Sequence, residues 1–402
     1  MAAVRRVLVL IFLLLTACAR PVFAAEEVSG YASDDDTADA DTEDQAALDE
    51  DMEDLSDALL AELDLDEIDG ILSESGAAEG LTFEDLVKRV LDPEQTLSTE
   101  DIFDGIASLL FSEAAECKSI LVQILLLTIA FAFFRSFTDV FENSQIAGSG
   151  FYMCFLVLAA LLMRSYLAAA SLFSTVMEQM VEVMQAVIPA FAMTLVFASA
   201  ATTAAAFYQI AIAVIWLVER LLGYVIAPAI HVYAFLAMMN CLTGEQMISR
   251  LTALLKKVIL WSLKALLAGV AGMNVIENMI APSVDNLKKM SVTKTLGMIP
   301  GLVGVTEAVS NLFLGAAVVI KNGVGVAAMI ALLLVVFGPL MKILVFALMY
   351  RVAGAIVQPF ADPRVCGCID GVGESMGMLI RTMMTGILLF LITIAIVITA
   401  VR

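Results

Sequence analysis

LLKKVILWSLKALLAGVAGMNVIENMIAPSVDNLKK, residues 254 to 289, is the stretch whose reading decides the rest of the chain. Its core, Val258 to Ile280, is mostly apolar and long enough to cross a bilayer of roughly 30 Å. Lys256, Lys257, Lys288 and Lys289 bracket it, as basic residues bracket a membrane-spanning helix. Inside it sit Lys264 and Glu277, which a helical rise places about 20 Å apart, too far to pair with each other. At membrane depth each needs a partner elsewhere, which makes both candidates for function. Both also lie within a few residues of the ends of the span, so snorkelling to the interface is the competing explanation.

The whole chain agrees with this local reading. It is 61% hydrophobic with a mean hydropathy of +0.93, which excludes an ordinary soluble globule and indicates an all-α, polytopic helical membrane protein. The net charge of −21 is concentrated in one segment: residues 26 to 116 carry 31 acidic and two basic side chains, whereas residues 117 to 402 carry twelve acidic and seventeen basic.

The N-terminus opens with Arg5 and Arg6, an apolar run from Val7 to Leu15, and Val22-Phe23-Ala24, the pattern of a cleaved signal peptide over 1–24. Leu15-Thr16-Ala17-Cys18 is a competing lipoprotein-like box. Residues 25–80 form an acidic segment with little to bury, expected to be exported and largely disordered, although Leu55, Leu59 and Leu63 recur with helical spacing. An exported helical region follows over 81–117, in which Thr82 with Asp85 and Ser98 with Asp101 have the spacing of helix caps. A multi-pass membrane domain fills 118–402. Nine apolar runs predict seven or eight spans there, since Ala229–Leu242 is too short to cross alone and Leu296–Ile320 carries Pro300, glycines and Glu307.

Pro189 and Pro300 are separated by the same interval as Pro228 and Pro339, and eleven of 53 positions over 186–238 repeat at that offset. The pattern reads either as two related units broken near a proline, as in transporter folds, or as a coincidence in apolar sequence.

Enzymatic chemistry finds no foothold. The one histidine, His231, has no acidic neighbour in sequence, and it reads as a packed or interfacial side chain. No nucleotide-binding loop or HExxH pattern is present. Cys366-Gly367-Cys368 supplies at best half of a soft-metal site. No cofactor, metal or nucleic-acid partner is expected. What remains is charge within or beside apolar runs, namely Arg164, Glu219, Arg220, Lys264, Glu277, Glu307, Lys321, Lys342 and Arg381. Of these Glu219, Arg220, Lys264, Glu277 and Glu307 are the candidates to line or lock a central bundle.

Several short motifs, in order, resemble the stage III sporulation protein AE family. They are Gly223-Tyr224-Val225-Ile226-Ala227-Pro228, Trp261-Ser262-Leu263-Lys264, Asn274-Val275-Ile276, Ile280-Ala281-Pro282, Ile320-Lys321-Asn322, Gln358-Pro359 and Gly371-Val372-Gly373-Glu374. The resemblance covers roughly residues 118 to 402. It implies a non-enzymatic membrane component of a channel or secretion-like apparatus linking mother cell and forespore, needed for forespore development after engulfment. It also implies as partners the other stage III A proteins, including ring-forming and ATPase components, besides the lipid bilayer. The location implied is the mother-cell membrane facing the forespore, with the N-terminal region in the intermembrane space. A self-contained secondary transporter and a pore-less membrane scaffold are the alternatives.

Overall fold

A computed structural model describes residues 65–74, 82–91, 122–123, 126, 129–130, 144–197, 201–243, 248–296, 303–359 and 362–400, and on 274–296 and 303–314 it describes the helical path alone. The signal-peptide and lipoprotein-box readings, Ser98 with Asp101, and most of the run from Ser119 to Phe134 lie outside the described residues. All elements found are helical: α1 (Asp66–Glu74), α2 (Phe83–Leu91), α3 (Ser144–Phe197), α4 (Ala201–Leu217), a π-helical stretch (Val218–Ile226), α5 (Ala227–Thr243), α6 (Ser249–Leu296), α7 (Val303–Val357) and α8 (Pro363–Ala400).

The N-terminal helices are short and amphipathic. In α1, Ile68 and Leu72 are buried while acidic residues occupy the first turn, so a folded helix stands inside the segment expected to be largely disordered. Thr82 and Asp85 cap α2 reciprocally: the Asp85 N–H donates to Thr82 Oγ1 at 3.1 Å and the Thr82 N–H donates to Asp85 Oδ2 at 3.2 Å. The Thr82 bonds hold the Asp85 carboxyl below its ordinary value. Asp69 accepts from the Phe83 N–H at 2.5 Å, tying α1 to the start of α2. Phe83, Leu86 and Val87 are buried, with α2 resting on α7 and α1 on α3.

The long helices form an antiparallel bundle whose register can be read from individual contacts. Tyr166 meets His231 and Phe191 meets Phe207, so α3 runs antiparallel to the continuous rod α4–π–α5. Tyr350 donates to Ser165, and Gly325 lies against Phe191, so α7 is also antiparallel to α3. Gly325 against Ile398 and Gly373 against Tyr350 set α7 antiparallel to α8. Thus α3 and α8 point one way, and α4–α5 and α7 the other. Helix α8 is the most enclosed, touching α3, α5, α6 and α7. Its start is capped by Asp362, whose Oδ1 accepts from the Arg364 N–H at 2.9 Å, with Pro363 at the first helical position where its missing N–H costs nothing. Buried hydroxyls return to their own backbone: Thr194 donates to Phe191 O, Thr382 to Met378 O and Thr393 to Leu389 O, so no polar group is stranded at these points.

Four helices are long and apolar enough to cross a membrane: Phe155–Val196, Ala204–Cys241, Gly315–Val357 and Pro363–Ala395. The chain is therefore read as a multi-pass membrane protein, with four candidate spans among the described residues where seven or eight were expected. Two of the expected spans are only partly described: most of Ser119–Phe134 and the side chains of the last part of Val258–Ile280 lie outside the described residues, and α6 is not among the four candidates. The rest of the difference has a physical reason. A continuous helix crosses a bilayer at most once, yet α3 holds the run Phe151–Phe173 together with most of Val183–Ala206. The rod α4–π–α5 likewise unites Phe207–Ile226 with Ala229–Leu242, and α7 unites most of Leu296–Ile320 with Val324–Tyr350. The prolines do not divide these helices: Pro189 lies inside α3 and Pro339 inside α7. Pro228 follows the π stretch, where the Ala227 N–H donates to Leu222 O five residues back. Widening the turn before the proline makes room for a ring that would otherwise strike the carbonyl four residues upstream. Of the two readings of the proline pattern, units broken near each proline do not fit Pro189, Pro228 and Pro339, while Pro300 lies outside the described residues.

Candidate functional site

Where α5, α6, α7 and α8 meet, the bundle opens into a cavity of about 460 Å³ lined mostly by polar and charged side chains and by glycines. Glu374 on α8 is its centre. Tyr233 on α5 donates its hydroxyl to Glu374 Oε2 at 2.5 Å, and Lys256 on α6 forms an ion pair with Oε1. One carboxylate thus joins three helices. Asp370 stands one turn before Glu374 and Arg381 about two turns after it, all three on the cavity wall, and Arg351 on α7 lies within electrostatic reach of Asp370. Two further buried groups brace the wall: Tyr350 donates to Ser165 Oγ at 2.5 Å.

Glycines on α8 let the other helices come close enough for these contacts. A Cβ on Gly371 would sit 3.0 Å from Ala237 Cβ, and one on Gly367 would sit 3.1 Å from Cys241 Sγ. Backbone approach of this kind is the common use of small residues between membrane helices.

A second polar point lies at the far end of the bundle. Lys321 on α7 is completely buried, and its ammonium donates to the Ile398 carbonyl at 3.1 Å. Ile398 is in the last turn of α8, where carbonyls lack intrahelical donors and the helix dipole is negative. A cation there caps α8 from the side. Asn322, beside it, is also buried, and its Oδ1 finds no hydrogen-bond partner among the described residues.

Of the charges noted in the sequence, Arg381 lines the cavity and Lys321 forms the second point, whereas none of the five candidates to line or lock a central bundle is described at either. Glu219 and Arg220 are exposed on the π stretch, with Arg220 stacked over the Tyr224 ring at 5.2 Å. The contacts Tyr166–His231 and Phe191–Phe207 bracket them, so they stand level with exposed Glu178 of α3. Lys264 is exposed on α6. These three face outward from the described bundle. Glu277 and Glu307 lie on helical backbone, and their side chains are outside the described residues. His231 is a packing residue, its Nδ1–H donating to Ala227 O at 2.6 Å while Tyr166 meets its ring edge-on.

Sequence reasoning passed over Glu374 as a site residue although it ends one of the quoted motifs, because its partners, Tyr233 and Lys256, are more than a hundred residues away. No group of three His, Cys, Asp or Glu side chains among the described residues is placed to hold a metal.

The family model described as Stage III sporulation protein AE matches residues 81–401. Stage III sporulation protein AE of Bacillus subtilis (strain 168) is 23% identical over 364 residues, covering 89% of this chain and 90% of that protein. No solved structure gives a significant match.

Proposed function

The chain belongs to the stage III sporulation protein AE family, and from that premise we propose that it is a non-enzymatic membrane component of the stage III A apparatus linking mother cell and forespore. In this reading it sits in the mother-cell membrane, its acidic N-terminal region lies in the intermembrane space, and the other stage III A proteins, ring-forming and ATPase components among them, are its partners. The observation that carries the reading is continuity: the family match runs from α2 through α8, the whole described bundle with its four candidate spans. A bundle whose polar groups are spent on joining helices, as Glu374 and Lys321 are, suits a component that holds shape within an assembly. The outward positions of Glu219, Arg220 and Lys264 suit a pathway or interface completed by partners rather than one enclosed by this chain alone.

The test is deletion and tagged rescue in a spore-former. Loss of the gene should arrest forespore development after engulfment, and the tagged protein should co-purify with the other stage III A proteins from sporulating cells. Normal spores from the deletion strain would sink the proposal. Solute flux through the purified protein alone would replace it with a self-contained transporter.

A further inference from the structure

Beside the Glu374 cavity, two cysteines far apart in sequence come together. Cys241, near the end of α5, lines the cavity, while Cys368, one turn into α8, is buried behind it. The Cys368 Sγ lies 3.9 Å from the carbonyl of Met238, one turn before Cys241 on α5, and a Cβ on Gly367, next to Cys368, would sit 3.1 Å from Cys241 Sγ, so the two thiols occupy the same level of the α5–α8 contact. Cys366 does not share this arrangement: positions two apart on a helix face different directions. The glycine contacts at Gly367 and Gly371 bring the α5 and α8 backbones together at this level. A disulfide needs α-carbons within about 4.4–6.8 Å, so a staple here depends on the close approach of α5 and α8 that these glycines permit.

We propose that Cys241 and Cys368 form an oxidisable dithiol, a modification site that takes small disulfides as its substrate class and staples α5 to α8 beside the cavity. Cys241, the cavity-lining member, is the attacking thiol, and Cys368 is the resolving one. The Cys241 thiolate attacks one sulfur of a disulfide R–S–S–R, forming a mixed disulfide and releasing one R–SH with the proton. Cys368 then attacks the Cys241 sulfur, expelling the second R–SH. Two protein thiols lose two electrons and two protons to become one S–S bond, and the incoming disulfide is reduced to two thiols. The bond would be reversible, because an external dithiol can run the same exchange backwards.

The experiment uses the full chain in membranes, treated with 2-hydroxyethyl disulfide, then blocked with maleimide and mapped by peptide mass spectrometry. The expected result is a peptide pair linking Cys241 to Cys368, lost on treatment with dithiothreitol, and retained in Cys366→Ser. In Cys368→Ser the expected product is a 2-mercaptoethanol adduct trapped on Cys241; in Cys241→Ser, Cys368 should carry no adduct. Should either variant fail to fold, the wild-type peptide map decides alone. Thiols that all remain free, a Cys366–Cys368 link, or bonds only between chains would overturn the proposal.

Discussion

Gly325→Ala tests whether the far end of the bundle is assembled as described. A methyl at Gly325 would lie 2.6 Å from Ile398 Cδ1, 2.7 Å from Ile398 Cγ1 and 2.9 Å from Phe191 Cε2. Ordinary carbon contacts are about 3.5–4.0 Å, so a shift on the order of 1 Å is needed, and α7 is confronted on two sides at once. Phe191 cannot yield easily, being fully buried with its ring edge-to-face on Phe207 at 5.0 Å. Moving Ile398 disturbs the carbonyl that Lys321 caps, one turn from Gly325 on the same helix. Overpacking of this kind costs about 1–3 kcal/mol. The cleanest measure is a double-mutant cycle with Ile398→Ala, read as the melting midpoint of the detergent-solubilised protein. Ile398→Ala alone should cost about 2–5 kcal/mol, since Ile398 is 1% exposed and its removal leaves a cavity. In that background both Ile398 contacts are gone and only the 2.9 Å approach to Phe191 remains, so Gly325→Ala should cost clearly less than in the wild-type chain. Equal losses from Gly325→Ala in both backgrounds would refute the argument, because the clash would then not involve Ile398.

Tyr350→Phe should lower the melting midpoint by an amount equivalent to about 0.5–1.5 kcal/mol, and Ser165→Ala added to it should cost little more, because both remove one buried hydrogen bond. Glu374→Gln should cost under about 1 kcal/mol, since Lys256 and Glu374 are each more than a third exposed, and it should reduce the salt dependence of the melt. Asp85 titrates below its ordinary 3.8 in the folded chain, so its cap stabilises α2 above pH 3.8 and is lost as pH falls through the lower folded value. Hydrogen exchange in the first turn of α2 should quicken over that window, and Asp85→Asn, which removes the titrating carboxyl, should remove the dependence. Alanine at Glu219 or Lys264 should leave the melting midpoint unchanged, because both side chains are exposed, while reducing co-purification with stage III A partners; unchanged assembly would remove these residues from the interface.

Local signals in the sequence transferred well to the structure. The reciprocal cap at Thr82 and Asp85 was legible because a capping box lives within four residues, and the helical, membrane-bound class was legible from hydropathy alone. Where one span ends and the next begins was not. Proline normally punctuates helices, but Pro189 and Pro339 are absorbed inside them and Pro228 is accommodated by a π turn, so apolar runs that look separate belong to single rods. The site was hidden for a different reason. Tyr233, Lys256 and Glu374 converge from three helices, as Cys241 and Cys368 do from two, and nothing in helical periodicity indicates which faces of which helices will meet.

The placement of Glu219 and Arg220 turns on the same helix lengths. A charge inside an apolar run demands a partner only if the run coincides with the hydrocarbon layer. That premise holds for a helix of about 20 residues, which just spans roughly 30 Å. It fails for α3 with 54 residues and α7 with 55, which extend about 80 Å at the helical rise. On such rods a bilayer occupies less than half the length, and exposed charge can stand beyond it. Glu178 and Glu182 on α3 are exposed at the height of Glu219 and Arg220 on the π stretch, so polar groups gather at one level of two neighbouring rods instead of scattering among apolar neighbours. A shared level of outward charge is what a rod leaving the hydrocarbon, or meeting a partner, requires, and neither needs these side chains to turn into the core. The charges that do turn inward, fully buried Lys321 at the end of α8 and partly exposed Glu374 between three helices, each meet a specific acceptor or donor, which is the condition under which a charge taken out of water is tolerated.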